Sequence, residues 1–416
     1  MRSQFRHHGV TSCRLAFIAA SCLILVTVEV RAQSGGLSLP EDGGPINGTA
    51  QAGSAAVARD AQTAWLNPAG MMRLDSIELM LTVQPFLMQF EFNSSPATTT
   101  PGTSGGDQGG WFPGGALFLA APINETVSLG FSLTSPAGLA LDPSDDWVGR
   151  YFMTKTQLVV LNFEPSIGIR LHEQWSIGGG VDIQYARFEQ NIAVNLPGPV
   201  DGQATIDGDS WDVGISLSLL WEPLDTTRFG LRYHSEVHHD LSGDLTAFTA
   251  VQVSTALPIP QNLTLSAYHD FTESFALMAD LGWQDWSAFD RTVISIDGGA
   301  GSQVEIPRNF KDTWTISLGA HVRPAEKWLV MFGGGYTSSA VDDTNRTPDL
   351  PTDQQVRIAV GLEYEIGERW RVGGSYTFLW LGDNNIDASL NPSTGRVVGD
   401  YDAYVHLFGV NASYRF

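Results

Sequence analysis

From residue 77 onward, apolar and polar positions alternate one for one in a long series of runs. The last run is among the cleanest. Tyr404, His406, Phe408, Val410, Ala412, Tyr414 and Phe416 make one row, and Val405, Leu407, Gly409, Asn411, Ser413 and Arg415 make the other. Side chains on a strand alternate faces, so this pattern predicts a strand with one greasy face and one wetter face. The same grammar sets Trp314, Ile316, Leu318, Ala320 and Val322 against Thr315, Ser317, His321 and Arg323. It sets Val356, Ile358, Val360, Leu362 and Tyr364 against Gln355, Arg357, Glu363 and Glu365, and it lines up Trp211, Val213, Ile215, Leu217, Leu219 and Trp221 on one face. The apolar rows repeatedly begin or end on Trp, Tyr or Phe. A soluble sandwich buries such rows; a barrel in an outer membrane shows them to lipid and girdles them with aromatics.

Fourteen strands can be laid out, from residues 77–90 to 404–416. The links between them alternate. Short ones fall at 122–126, 172–174, 222–227, 270–274, 324–327 and 367–369. Long ones fall at 90–113, 135–155, 196–207, 241–260, 288–312, 338–353 and 381–402. An even strand count with short turns on one side and long loops on the other defines the expected fold class: all-β, a 14-stranded antiparallel transmembrane β-barrel. A tandem of soluble sandwiches explains neither the alternation nor the aromatic ends. Closure gives every backbone group in the bilayer a partner.

The first part of the chain has a different texture. Arg2, Arg6 and Arg14 precede an apolar run at residues 15–28, and Val30-Arg31-Ala32 resembles a cleavage pattern, so residues 1–32 read as a secretory signal peptide. The run is short for a membrane anchor. Both cysteines, Cys13 and Cys22, lie in it, so cleavage after Ala32 leaves no thiol and no disulfide framework. Residues 33–75 are rich in Gly and Ala, with a short helix expected over 52–65, and end on Trp65-Leu66-Asn67-Pro68-Ala69-Gly70, a turn signal. A barrel this wide needs its lumen filled with water or plugged, so the segment is expected to be a small, helical N-terminal hatch, with the barrel over 76–416.

Composition narrows the function. The net charge of -22 argues against nucleic acid as a partner, since phosphates require Lys and Arg. No nucleophile elbow, His pair or cysteine pair points to catalysis or to a metal, and no cofactor is expected. His238-His239-Asp240 reads as a solvated strand end, with a metal or acid–base cluster as the alternative. Asp342-Asp343-Thr344-Asn345 and Asp383-Asn384-Asn385 read as exposed acidic loops, with calcium binding or lipopolysaccharide bridging as the alternative.

Gly48-Thr49-Ala50-Gln51-Ala52-Gly53, Asp60-Ala61-Gln62-Thr63-Ala64 and Asn67-Pro68-Ala69-Gly70 together resemble the hatch of the FadL family, outer-membrane transporters of long-chain fatty acids and aromatic hydrocarbons. Val148-Gly149-Arg150-Tyr151, Arg232-Tyr233-His234-Ser235-Glu236, Leu257-Pro258-Ile259-Pro260-Gln261-Asn262 and Asp285-Trp286-Ser287 resemble it too. The resemblance implies a location in the outer membrane of a Gram-negative bacterium, a hydrophobic small-molecule substrate and passive transport. Trp65, Leu66, Asn67, Pro68, Ala69 and Gly70 would form the gate. Leu37 or Leu39 would serve as the N-terminal plug, since the mature start lacks an aromatic. The lateral exit would lie at Ser135, Pro136 and Gly138, whose Pro and Gly disfavour pairing. Expected partners are outer-membrane lipid, lipopolysaccharide and the barrel-assembly machinery, with the protein itself monomeric. The loop at 196–207 is shorter than the helical loop of the fatty-acid members. A structural or adhesive surface barrel is the alternative.

Overall fold

The strand pattern closes on itself. The computed structural model describes residues 40–197, 200–247, 250–296 and 303–416, and its strands form one antiparallel sheet rolled into a barrel of fourteen staves. The first stave is β1 (Glu78–Val83) continued by β2 (Phe86–Ser94), and the second is β3 (Gly110–Phe112) continued by β4 (Leu117–Pro122). Staves three to six are β5 (Val127–Leu141), β6 (Lys155–His172), β7 (Trp175–Val194) and β8 (Gly202–Leu224). The seventh is β9 (Thr227–His234) with β10 (Val237–Thr246), and the eighth is β11 (Ala250–Ile259) with β12 (Asn262–Thr272). The ninth is β13 (Phe275–Gln284) with β14 (Arg291–Ile296), and the tenth is β15 (Gln303–Pro307) with β16 (Thr313–Ala325). The last four are β17 (Trp328–Thr337), β18 (Gln355–Ile366), β19 (Trp370–Trp380) with the short β20 (Ile386–Ala388), and β21 (Val397–Arg415).

Closure is made by β21 on β1 and β2. Glu78 faces Arg415 and Val83 faces Val410 in one ladder, and Phe86 faces Leu407 in the next. On its other side β21 pairs with β19 from Trp370–Tyr414 to Trp380–Tyr404. No edge is left at this seam for another chain to pair with.

The faces follow the alternation. In β16, Trp314, Ile316 and Leu318 are exposed at 53%, 56% and 64%, whereas Ser317 and His321 are buried in the lumen. Aromatic rings pack across neighbouring staves at the short-turn end: Trp175 on Trp221 at 5.3 Å, Trp328 on Tyr364 at 4.5 Å and Trp370 on Tyr414 at 4.8 Å between centroids. A second set, Trp111 with Phe408 and Tyr185 with Trp211, marks the opposite end. These are the two girdles of a membrane barrel.

Two features differ from expectation. The stretches 241–260 and 288–312, read as loops, are largely ladder: β10 pairs with β11 from Val237–Ile259 to Thr246–Ala250, and β14 pairs with β15. Their alternation continues above the greasy band with Asp, Ser and Thr outside, so polarity hid the strands. The stretch 52–65 is not one helix. It is a chain of turns that becomes helical at Thr63–Leu66, with the hatch's other short helical pieces on either side at Pro45–Thr49 and Pro68–Arg73. Gly53 (φ 81°) and Ala58 (φ 43°) adopt left-handed backbone there, which a helix cannot accommodate.

The outward face yields a direct test. Leu318→Arg places a cation in the hydrocarbon and should cost roughly 2–4 kcal/mol of unfolding free energy in lipid vesicles. Ser317→Thr, one residue away on the lumen face, should cost well under half of that.

Candidate functional site

The hatch is seated on backbone. At several wall positions glycine is what lets the hatch approach: a Cβ on Gly230 would run into the Ala55 carbonyl, and one on Gly333 would run into the Thr49 carbonyl. Small residues on both sides allow this contact, which is why Ala and Gly dominate the segment.

Polar groups then lock the seat. The Asp280 carboxylate accepts from the Gly53 amide at 2.7 Å, the Ser54 amide at 3.1 Å and the Ser54 hydroxyl at 2.5 Å. Ser266 Oγ accepts from the Ala55 amide at 2.9 Å, and the Arg228 guanidinium donates to the Ala56 carbonyl at 3.0 Å. Arg357 Nε meets Glu41 Oε1 at 2.8 Å, and Arg59 pairs with Glu363. Arg371 Nε lies 3.2 Å from Glu363 Oε1. Glu78, at the seam, is shared: Arg415 Nε donates to Oε2 at 3.3 Å, and the Ala61 amide to Oε1 at 3.4 Å. Buried charges in an apolar setting are costly unless paired, and these are paired between plug and wall.

All six expected gate residues lie in this contact. Asn67 Nδ2 donates to the Ala55 carbonyl at 2.5 Å and to the Leu219 carbonyl of β8 at 3.1 Å. Pro68 opens a turn of helix, where a missing N–H costs nothing. The Ala69 amide donates to Ser218 Oγ at 3.0 Å. Gly70 is packed so that a Cβ would stand 2.7 Å from both Ala58 Cβ and Thr63 Cγ2. Leu66 is buried with Ile46, Val57 and Met278. Trp65 is half-buried, with its ring 4.7 Å from His234 and the Arg232 guanidinium 5.9 Å above it. Leu37 and Leu39 fall outside the described residues.

The wall is interrupted at three adjacent staves. The first breaks at Gln84 and Pro85. The second breaks between Phe112 and Leu117, through Pro113, Gly114 and Gly115. The third shifts register between Thr134 and Ala137. The β4–β5 ladder stops at Leu117–Leu133, and β3 pairs only with β2. Among the described residues, no ladder joins β3 to the upper half of β5. Pro136 has no N–H to offer, and the Ser135 hydroxyl donates to the Val160 carbonyl at 2.8 Å instead. The ladder resumes at Ala137 opposite Val160, and Gly138 follows opposite Val159.

Above the hatch the lumen holds two cavities. One, of about 650 Å³, is mostly apolar, with Leu139, Leu158, Ile206, Leu257 and Leu350 around it and the upper half of the third stave on one side. Its one charged pair is Arg308 with Asp349, bonded twice at 3.1 and 2.8 Å. The other, of about 620 Å³, is polar and touches the hatch at Ala50 and Gln51. The alternation shows which residues point inward, but the chambers depend on how the interrupted staves bend, and that is invisible in the sequence.

A lipid-facing barrel, plugged by an N-terminal hatch and broken on one side, defines an outer-membrane transport protein rather than an open pore. The family model for outer membrane protein transport proteins (OMPP1/FadL/TodX) matches residues 25–416, and the chain belongs to that family. Its place is therefore the outer membrane of a Gram-negative bacterium. The chain is similar to the long-chain fatty acid transport protein of Salmonella typhi, 24% identical over 96% of this chain and 98% of that one. It is equally similar to the one of Escherichia coli K12, at 24% over the same shares. Among solved structures, a Pseudomonas aeruginosa FadL homologue superposes with a TM-score of 0.84 at 21% identity, over 92% of this chain and all of the other. The Ralstonia pickettii toluene transporter TbuX gives 0.68 at 16%, over 87% and 95%.

Two predictions concern the seat. Asn67→Ala leaves the Ala55 and Leu219 carbonyls without their donor, a loss of roughly 1–3 kcal/mol. It should speed hydrogen exchange across the hatch while the heat-modifiable barrel band persists. The second uses pH. Burial pushes the Asp42 carboxyl up to about 6, against the bonds from Gln62 and the Gly44 amide, and Asp60 and Glu41 push the same way. Burial, with Glu78 nearby, likewise pushes Asp60 up to about 6 against Arg59 and Arg415. A carboxyl raised in the folded state favours that state when protonated. Its contribution is full below about 4 and is lost as pH rises through about 6. Relative to the intrinsic rate, which itself rises with pH, hatch amides should therefore lose protection between pH 5 and 7, and Asp42→Asn with Asp60→Asn should flatten that loss.

Proposed function

We propose that the protein is a channel for passive uptake of hydrophobic compounds, long-chain fatty acids or aromatic hydrocarbons, released sideways into the membrane. The observation that carries this reading is the apolar chamber bordered by the upper half of the third stave, where its ladder to the second is missing. A greasy molecule that has passed the polar lipopolysaccharide loses free energy of burial if it is put back into water. An opening at membrane height spares it that step. The names of the fatty-acid relatives and of the toluene transporter support the same class of cargo.

In this scheme the chamber collects the cargo, and Asn67, Pro68, Ala69 and Gly70, with Trp65 and Leu66, keep the axial route shut. Leu37 or Leu39 would plug the chamber between passages. Ser135, Pro136 and Gly138 would frame the exit. Among the described residues no energy-coupling element is visible, so flux would follow the gradient.

Uptake of labelled fatty acid and of labelled alkylbenzene by cells lacking the protein and by complemented cells tests the reading. Complementation should raise uptake of at least one cargo several-fold; equal uptake of both would sink it. Deleting Pro136 alone, which removes the one extra residue between Thr134–Asn162 and Ala137–Val160 and lets the ladder run on, should remove most of that gain while the folded barrel persists.

A further inference from the structure

The two cavities come within a single layer of rings of each other. Phe310 and Trp286 line the polar one, and Phe289 lines the apolar one. Phe310 meets Phe289 edge-on at 5.2 Å and Trp286 at 6.1 Å between centroids. All three are buried.

The rings stand where the ninth and tenth staves leave their ladder together. Pairing of β13 with β16 ends at Gln284–Thr313, and pairing of β14 with β15 resumes at Arg291–Pro307. Between these points the chain is pinned on either side of Phe310. Arg308, facing the apolar chamber, is held by Asp349, by Thr292 and by Thr347. The Lys311 amide donates to the Ala340 carbonyl at 2.6 Å, and Asp312 accepts from Trp283 Nε1 at 2.9 Å. Asn309, between them, has a left-handed φ of 51°. That turn sends Arg308 to one cavity and Phe310 to the other. The backbone is fixed on both flanks, and the Phe310 ring packs between the other two rings within the apolar cluster. It is the middle ring of the partition.

We propose that Phe310 sets the length of apolar cargo that the chamber accepts, by closing it toward the polar cavity above the hatch. This rests on the reading that the chamber takes hydrophobic cargo. A tail that fills the chamber ends against Phe289, with Phe310 behind it. A longer one meets the partition, and past it polar Thr315, Ser317 and Arg357 alongside apolar Ala50 and Ala340. Removing the ring joins the two volumes and lets a longer tail lie along the apolar edges of both.

The test is equilibrium binding of saturated fatty acids of increasing length to the full chain in lipid nanodiscs. For the unaltered protein, affinity should climb by roughly fourfold per added methylene while the chamber fills, then level off. In Phe310→Ala the climb should continue to longer chains, so that these gain roughly tenfold or more over the unaltered protein while short chains bind as before. Phe310→Tyr, which keeps the ring, should restore the original profile. Binding by Phe310→Ala with an unchanged point of levelling would overturn the partition alone. Absence of binding by the unaltered protein at every length would overturn the cargo reading beneath it.

Discussion

A strand inside a bilayer must find every backbone partner in its neighbours, because the lipid offers none. The rest of this structure follows from meeting that demand around a plugged lumen. The ladder between Glu78–Val83 and the end of β21 removes the edge at the seam. A place where partners are withheld, above Leu133, sits at three prolines and is patched from outside the ladder. Ser135 serves the Val160 carbonyl, and the Asp142 amide reaches across to Gln108 above the gap. The break is thus bounded above and below, and the wall remains a wall.

Closure at fourteen staves leaves a lumen too wide for side chains alone, and polarity divides it by height. Around the hatch the wall presents Asp280, Glu363, Arg357, Arg371 and Glu78, each spent on the plug or on its neighbours. Higher up, Met88, Phe90, Leu139, Leu158 and Phe310 belong to one apolar cluster. The upper part is thus the apolar half of the lumen, and the lower part is the polar half, where wall charges are paired with the hatch or with one another.

Much of this was legible in the sequence, for identifiable reasons. A face turned to lipid imposes strict alternation, so rows such as Trp314, Ile316 and Leu318 announce both strand and orientation. Pro136 announces a break because proline cannot donate. The small residues between Gly48 and Gly70 announce close packing. What stayed hidden depends on closure. Glu41 and Arg357 are far apart in the chain and meet only once the barrel has its register. The ladders at 237–259 and 291–307 rise beyond the membrane, where a polar outer face reads like a loop. The aromatic partition needs two staves to bend at one height, and no pattern along a single strand records that.

The Glu78 carboxylate ties two distant parts of the molecule together. One oxygen is bound from Arg415 of the last strand and the other from the Ala61 amide of the hatch. The seam of the wall and the seat of the plug thus share one side chain, with Arg371 3.7 Å away. A change that loosens the hatch is therefore also a change in the electrostatics of the seam, and the plug and the closure of the barrel are not independent parts.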